Sequence, residues 1–379
     1  MRMGKNKYVP RHAAPGSVPV KAPARKTAGK NGKNAKASGG KFDTTRVFAL
    51  IVLIVCVGVL GKYLYEIIEA WKLRSDLSEM YSSAQRNTTT APTTIPPPEE
   101  MTNTSVTTED EYVTYEELNE PPATIATEEI TTIHYEPPPE PRPIMPAAQK
   151  LLDINPQTVG HVYIPGCVDE PVVKGTDNEY YLTHNFKGQE RQCGTCFADH
   201  RNVIGDWERS DNITLYAHNQ KDNSMFGYLD QYRWNLYYWK ENPFVYFNTN
   251  YAEETYVIIS SFVVNALPEH DNGYVFDYQN YIDFAPEGQY SFDFFAHEIY
   301  ERSWFHTGID YNEDDAYLTL STCSTEWDDS RHVIVARRLR DGETTENMDL
   351  SGFVLNDNIK WPAIYYKYNG GSYIEPENR

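Results

Sequence analysis

The C-terminal part of this chain predicts a mainly β fold, a closed or nearly closed barrel with a few peripheral helices. Three observations carry that prediction. Residues 147–379 are rich in Tyr, Phe and Trp and long enough to bury one substantial core. Short β-prone runs separated by turn residues dominate the region, and only three stretches within it keep a helical spacing of apolar residues. Ahead of it lie a tail, an apolar span and a linker, none of which has the composition of a globular domain.

Residues 1–46 hold 12 Lys and Arg against the single acidic Asp43, a charge of +11, whereas the rest of the chain carries −31. A tail rich in Ala, Gly, Lys and Pro cannot bury a core, so it is expected to be disordered and to lie against anionic lipid. Only Tyr8 and Phe42 offer rings for base stacking, which argues against nucleic acid as its partner. Residues 47–68 follow as a membrane anchor, apolar from Val47 to Leu60 and extended past Lys62 by Tyr63-Leu64-Tyr65. A spanning helix needs about 20 largely apolar residues, a length reached here with the flank included. A cleaved signal peptide would be followed by small residues, and Lys62-Tyr63-Leu64-Tyr65 stands there instead. The basic excess ahead of the span predicts a cytoplasmic N-terminus and an external C-terminal domain.

Beyond the span, Leu64, Ile67, Ile68, Trp71 and Leu77 continue a helical spacing, which predicts a short helical stem over 69–83. Residues 84–146 are rich in Thr, Pro and Glu, with 12 acidic residues against Arg86 and Arg142, and are expected to stay extended as an extracellular spacer. The catalytic domain is placed at 147–379. Helices are expected over Ala147–Asp153, Ser224–Tyr232 and Ser291–Trp304, and strands over Phe244–Phe247, Thr255–Val264 and Ile364–Tyr368.

The chemistry concentrates in two further runs. In Tyr317 to Cys323 the residues Tyr317, Thr319, Ser321 and Cys323 share one face and Leu318, Leu320 and Thr322 the other, as a half-buried strand requires. Arg331 opens a second alternating run to Ala336. The polar Ser324–Ser330 segment between them predicts an antiparallel hairpin that sets Arg331 roughly opposite Cys323, with facing Cβ atoms about 5 Å apart. A third strand, Asn212–Asn219, carries His218 near its end. A free thiol titrates near 8.5, so a nucleophilic cysteine needs a cationic neighbour to favour the thiolate, and His218 and Arg331 are the candidates.

These segments resemble the active-site segments of sortases, most closely class B. The matching pieces are Thr319-Leu320-Ser321-Thr322-Cys323 with Arg331 downstream, Tyr216-Ala217-His218-Asn219 ahead of Ser224-Met225-Phe226-Gly227, and Val159–Gly166, Glu170–Val173 and Asp177–Phe186 in the same order. Class B members often have glycine where Ala217 stands. The resemblance spans about 147–379 and implies a sortase-like barrel with a helical insertion before the cysteine strand. It also implies a membrane-anchored cysteine transpeptidase that cleaves a sorting signal after Thr. Cys323 is then the nucleophile, His218 the proton carrier and Arg331 the oxyanion partner. Ser224, Tyr228 and Thr322 are the candidates for substrate positioning. The implied partners are surface proteins bearing sorting signals and an amine of peptidoglycan precursor or pilin, in a Gram-positive wall; neither metal nor other cofactor is called for.

Blander readings stand beside these. Cys323 alone reads as a small buried hydrophobe, and Arg331 as a surface partner of Asp328 or Asp329. Cys193-Gly194-Thr195-Cys196 with His200 is a weak zinc pattern, since a second ligand pair is missing, and also suits an external disulfide or two small apolar residues. Glu313-Asp314-Asp315 and Asp328-Asp329 read as solvated turns rather than calcium ligands. Asn155-Pro156-Gln157-Thr158 resembles a sorting motif but leads into the first barrel strand. Two rival functions are an external cysteine peptidase and a wall-associated binding module on a Thr/Pro stalk.

Overall fold

The computed structural model describes residues 44–89, 140–235 and 237–373. The basic tail up to residue 43 and the linker residues 90–139 lie outside the described residues. The chain divides into two compact units, residues 1–59 and 60–379. Helix α1 runs over Thr44–Thr89. In its first part, Val47 to Val59, every side chain is exposed and most are apolar. It is the one helix among the described residues long and apolar enough to cross a membrane.

The second unit is built on eight strands, β1 Thr158–Ile164, β2 Val168–Val173, β3 Phe197–Ala198, β4 Asn212–Tyr216, β5 Phe244–Thr249, β6 Thr255–Asn265, β8 Tyr317–Cys323 and β9 Ser330–Arg338. They close into a barrel in the order β1-β2-β3-β4-β8-β9-β6-β5, with β1 paired to β5. Short strands β7 Phe305–His306 and β10 Val354–Leu355 form a separate two-stranded sheet. Helices α2 Pro146–Leu152, α3 Gln231–Trp234, α4 Tyr238–Glu241, α5 Phe292–Arg302 and α6 Ala363–Asn369 are peripheral. The fold is thus mainly β and closed.

Strand β8 departs from the half-buried pattern its alternation predicts. Leu318 and Leu320 fill the barrel, yet Tyr317, Thr319 and Ser321 on the other face are buried as well. The cause is the long connection from β6 to β7, which lies over that face: Phe284, Phe292 and Phe295 pack on the Tyr317 ring, with centroids 5.7, 5.8 and 5.9 Å away. Helix α5 anchors this connection. Ser291 caps it by accepting from the Phe294 N–H at 3.3 Å, Phe295 and Ile299 share its buried face one turn apart, and Arg302 pairs with Glu298 at 2.8 Å. Burial works against the Glu298 carboxylate, but Arg302 and Lys360 hold its pKa below the ordinary value.

Two expected elements take another form. Over 224–232 the chain makes a 3₁₀ turn, Gly227–Asp230, before α3, and Met225 sits at a φ of 57° that no helix allows. The chain must reverse just after His218: the Phe226 N–H donates to the His218 carbonyl at 3.0 Å, and a Cβ on Gly227 would meet the Gln220 carbonyl at 2.3 Å. Ile364–Tyr368, β-prone by composition, lies inside α6. Pro362 starts that helix, Gly370 with φ 76° ends it, and Tyr365 stacks on Trp361 at 4.1 Å, so the end signals and one ring contact override propensity. Asp315, read as part of a solvated turn, is instead buried in a fork from Arg340 with both contacts at 2.7 Å.

From Leu60 onward α1 belongs to the barrel unit, so the stem expected over 69–83 is built into it. Its buried stripe is Leu77, Tyr81 and Ala84, with Leu73 partly covered, the i, i+4, i+7 spacing of one helix face. Trp71 and Ile68, offered by the sequence pattern, remain exposed. The stripe packs on Ala147 and Leu151 of α2 and on Val173, Tyr181, Phe186 and Phe197. Tyr81 stacks on His161 of β1 at 4.3 Å, Ser78 donates to Asp169 at 2.5 Å, and Arg74 pairs with the buried Glu170.

Candidate active site

Three strand ends define the site. Strand β4 runs parallel to β8 with Tyr216 beside Ser321, and β9 runs antiparallel to β8 with Arg331 directly across from Cys323. The β4–β8 alignment continues past β4: the Ala217 N–H donates to the Ser321 carbonyl at 3.3 Å, and the Thr322 hydroxyl donates to the Ala217 carbonyl at 2.7 Å. Next along, the Asn219 amide donates to the Cys323 carbonyl at 2.9 Å. His218 is therefore carried to the same rim of the barrel as Cys323 and Arg331.

Cys323 is exposed at the last position of an otherwise buried strand, the opposite of a buried small hydrophobe. Among the described residues Arg331 makes no ion pair with Asp328 or Asp329; its guanidinium donates to the Ser330 carbonyl at 3.0 Å. His218 is half-buried, with Nε2 2.8 Å from the Leu182 carbonyl. A carbonyl only accepts, so Nε2 carries the hydrogen and the neutral ring keeps Nδ1 as its acceptor. Leu182 is itself fixed by the 3₁₀ turn Tyr180–Leu182, against whose Tyr181 and Leu182 carbonyls Gly194 packs too closely for any Cβ.

The three substrate-positioning candidates fall at different places. Thr322 is buried, its hydroxyl committed to Ala217 and its main chain paired with His332. Ser224 is half-buried and lines a cavity of about 200 Å³ together with Met225, Asp222, Phe186 and the α1 residues Trp71 and Arg74. Tyr228 lies on the α3–α4 side, its ring 6.4 Å from Tyr238. Sequence reading missed Tyr278, from the β6–β7 connection, whose hydroxyl shares a 2.6 Å hydrogen bond with Ser321. Burial pushes the Tyr278 hydroxyl up to about 12, opposed by the Ser321 bond and the Arg331 charge. The signal for it was present in part, since Ser321 shares a strand face with Cys323.

The other thiols of this unit have a different setting. Burial pushes Cys167 up to about 12 and raises Cys193 and Cys196, which disfavours their thiolates. Cys193 and Cys196 are free, and among the described residues no group of three or more His, Cys, Asp or Glu is arranged to hold a metal, His200 included.

Residues 162–339 match the family model of the sortase domain. Sortase B of Listeria monocytogenes is 28% identical over 186 residues, 47% of this chain and 67% of that protein. Sortase B of Staphylococcus aureus is 26% identical over 200 residues, 52% of this chain and 76% of the relative. Among solved structures, Clostridium perfringens sortase B aligns with a TM-score of 0.44 at 28% identity, over 51% of this chain and 99% of the other. The barrel is a sortase domain, the fold of a transpeptidase family. Both of these relatives, and the solved structure, are class B sortases, the class that this region resembles.

Proposed function

We propose that this protein is a membrane-anchored cysteine transpeptidase that cleaves a sorting signal after Thr and passes the acyl group to an amine of the cell wall or of a pilin subunit. The observation that carries the reading is an exposed Cys323 paired across the β8–β9 ladder with Arg331, beside the strand end that bears His218. The Cys323 thiolate attacks the Thr carbonyl carbon, and the oxyanion that forms is met by the Arg331 guanidinium. One good donor at that position is worth about 3 to 4 kcal/mol. When the thiolate forms, the thiol proton of Cys323 passes to His218 at Nδ1; collapse then breaks the C–N bond, and His218 delivers that proton to the departing amine, leaving a thioester on Cys323. An incoming amine then attacks the thioester, His218 accepts its proton, and the second collapse releases the sulfur as thiolate. One amide is exchanged for another, so the step balances without an external energy source.

Val47–Ile68 serves as the anchor in this reading, and the +11 charge of residues 1–46 puts the N-terminus on the cytoplasmic side. The Thr/Pro/Glu-rich linker serves as an extracellular spacer between the end of α1 and the strands of the catalytic domain. The direct test is incubation of the full chain in detergent with labelled peptides bearing Asn-Pro-x-Thr, Ser-Pro-x-Thr or Leu-Pro-x-Thr cores, with and without added triglycine. The expected result is cleavage of one core after Thr and an amide product that grows with triglycine. Release of free acid alone, whatever the amine concentration, identifies a peptidase instead, and no cleavage of any core favours a binding module.

A further inference from the structure

Beneath the rim that carries Cys323 lies a polar cluster with no part in the reaction just described. Asn219, the residue after His218, uses one side-chain nitrogen twice: it donates to the Cys323 carbonyl at 2.9 Å and to Asp230 Oδ2 at 3.2 Å. Asp230 ends the 3₁₀ turn that follows the reversal after His218, and it is buried. The same Oδ2 is met at 3.2 Å by Arg233, also buried, one turn further on in α3. Arg233 then reaches the loop that leaves Cys323: Nη2 donates to the Thr325 hydroxyl at 3.0 Å and Nη1 to Glu326 Oε1 at 2.5 Å. Asp230 Oδ1 faces His332 Nδ1 at 3.8 Å, and His332 pairs in the ladder with Thr322 and directly follows Arg331.

A buried carboxylate is tolerable only when it is paired and hydrogen-bonded, and its partners are then fixed in place. Here the fixed partners are the two ends of one short stretch, the carbonyl of Cys323 and the side chains of Thr325 and Glu326. We propose that Asn219, Asp230 and Arg233 form a positioning network that holds the Cys323 carbonyl and the Thr325–Glu326 loop, and so sets the direction of the Cys323 sulfur relative to His218 and Arg331. The proposal rests on Cys323 being the nucleophile. In this proposal each of the three acts through the main chain or loop of the cysteine. A sulfur displaced by about 1 Å from its attack geometry costs on the order of 10²-fold in rate.

The test uses the full chain in detergent and two variants. Asn219→Ala removes the link between carbonyl and carboxylate at a half-exposed position, so the fold is retained. Arg233→Lys keeps the charge beside Asp230 but cannot span Thr325 and Glu326 as the guanidinium fork does. The readouts are kcat and KM on the preferred sorting peptide, the rate of Cys323 alkylation by iodoacetamide, and the unfolding midpoint of each variant. The expected outcome is a fall in kcat of about 10- to 100-fold at near-constant KM. Alkylation at Cys323 should change in both variants while the Asn219→Ala midpoint stays within a few degrees of the parent. Unchanged kcat and alkylation in Asn219→Ala overturn the proposal, as does a rise in KM with kcat intact. A Cys323→Ala control separates the two levels: if it is inactive while Asn219→Ala is normal, only the network fails, and if it retains turnover, the nucleophile assignment fails and the network with it.

Discussion

At the scale of single residues, the site depends on polar groups that are exposed only where chemistry needs them. Cys323 is open while Cys167, Cys193 and Cys196 are wholly or partly buried with raised pKa values, so burial alone separates a thiol available for reaction from three that are not. His332 shows the same principle inverted. It is fully buried between Ser261, which bonds its Nε2 at 3.0 Å, and the Asp230–Arg233 pair, and burial with the Arg233 charge pushes its pKa down to about 3. An unfolded histidine titrates near 6.5, so between about 6.5 and 3 the unfolded chain binds a proton that the folded chain refuses. Stability from this residue is therefore complete above about pH 7 and falls as the pH is lowered through that window, by up to about 1.4 kcal/mol per unit. Urea unfolding of His332→Gln is expected to lose less stability than the parent between pH 7 and pH 4. Parallel curves would show that His332 is not held neutral.

Among the elements, legibility followed the reach of the interactions. The β8–β9 hairpin was readable because an alternating run, a polar turn and a second run fix register locally, and Cys323 does stand across from Arg331. The second face of β8 was not, because the rings that bury Tyr317 come from the β6–β7 connection. The stretch after His218 was misread as a helix since Met225, Phe226 and Leu229 have helical spacing, whereas a main-chain reversal against Gln220 dictates their conformation. Asn219 and Asp230 were equally hidden: nothing in their spacing says that one amide joins them to Cys323. The docked part of α1 gives a prediction of its own. Tyr81 is buried and stacked on His161, and loss of a buried ring costs about 3 kcal/mol or more. Hydrogen exchange on Tyr81→Ala should show amides of residues 73–85 losing protection while those of β6, β8 and β9 keep theirs. Unchanged exchange over 73–85 would mean that the stripe of Leu77, Tyr81 and Ala84 does not hold the helix.

For the molecule as a whole, composition marks the charge contrast and the strand-rich C-terminal part, and packing places the start of the barrel unit within α1. The charge of +11 before the apolar span and −31 after it was plain in the sequence, as was the aromatic, strand-rich character of the C-terminal part. The barrel unit nevertheless begins at Leu60, because the helix stripe through Leu77, Tyr81 and Ala84 shares a core with α2, β2 and β3. The central claim is that three strand ends gather a thiol, an imidazole and a guanidinium into one acyl-transfer site. Its most direct measurement is mass spectrometry of the full chain mixed with its preferred sorting peptide in the absence of an acceptor amine. The account predicts an acyl adduct on the peptide containing Cys323, discharged when triglycine is added. An adduct on Cys167, Cys193 or Cys196, or cleavage of the peptide in a Cys323→Ala variant, would contradict it.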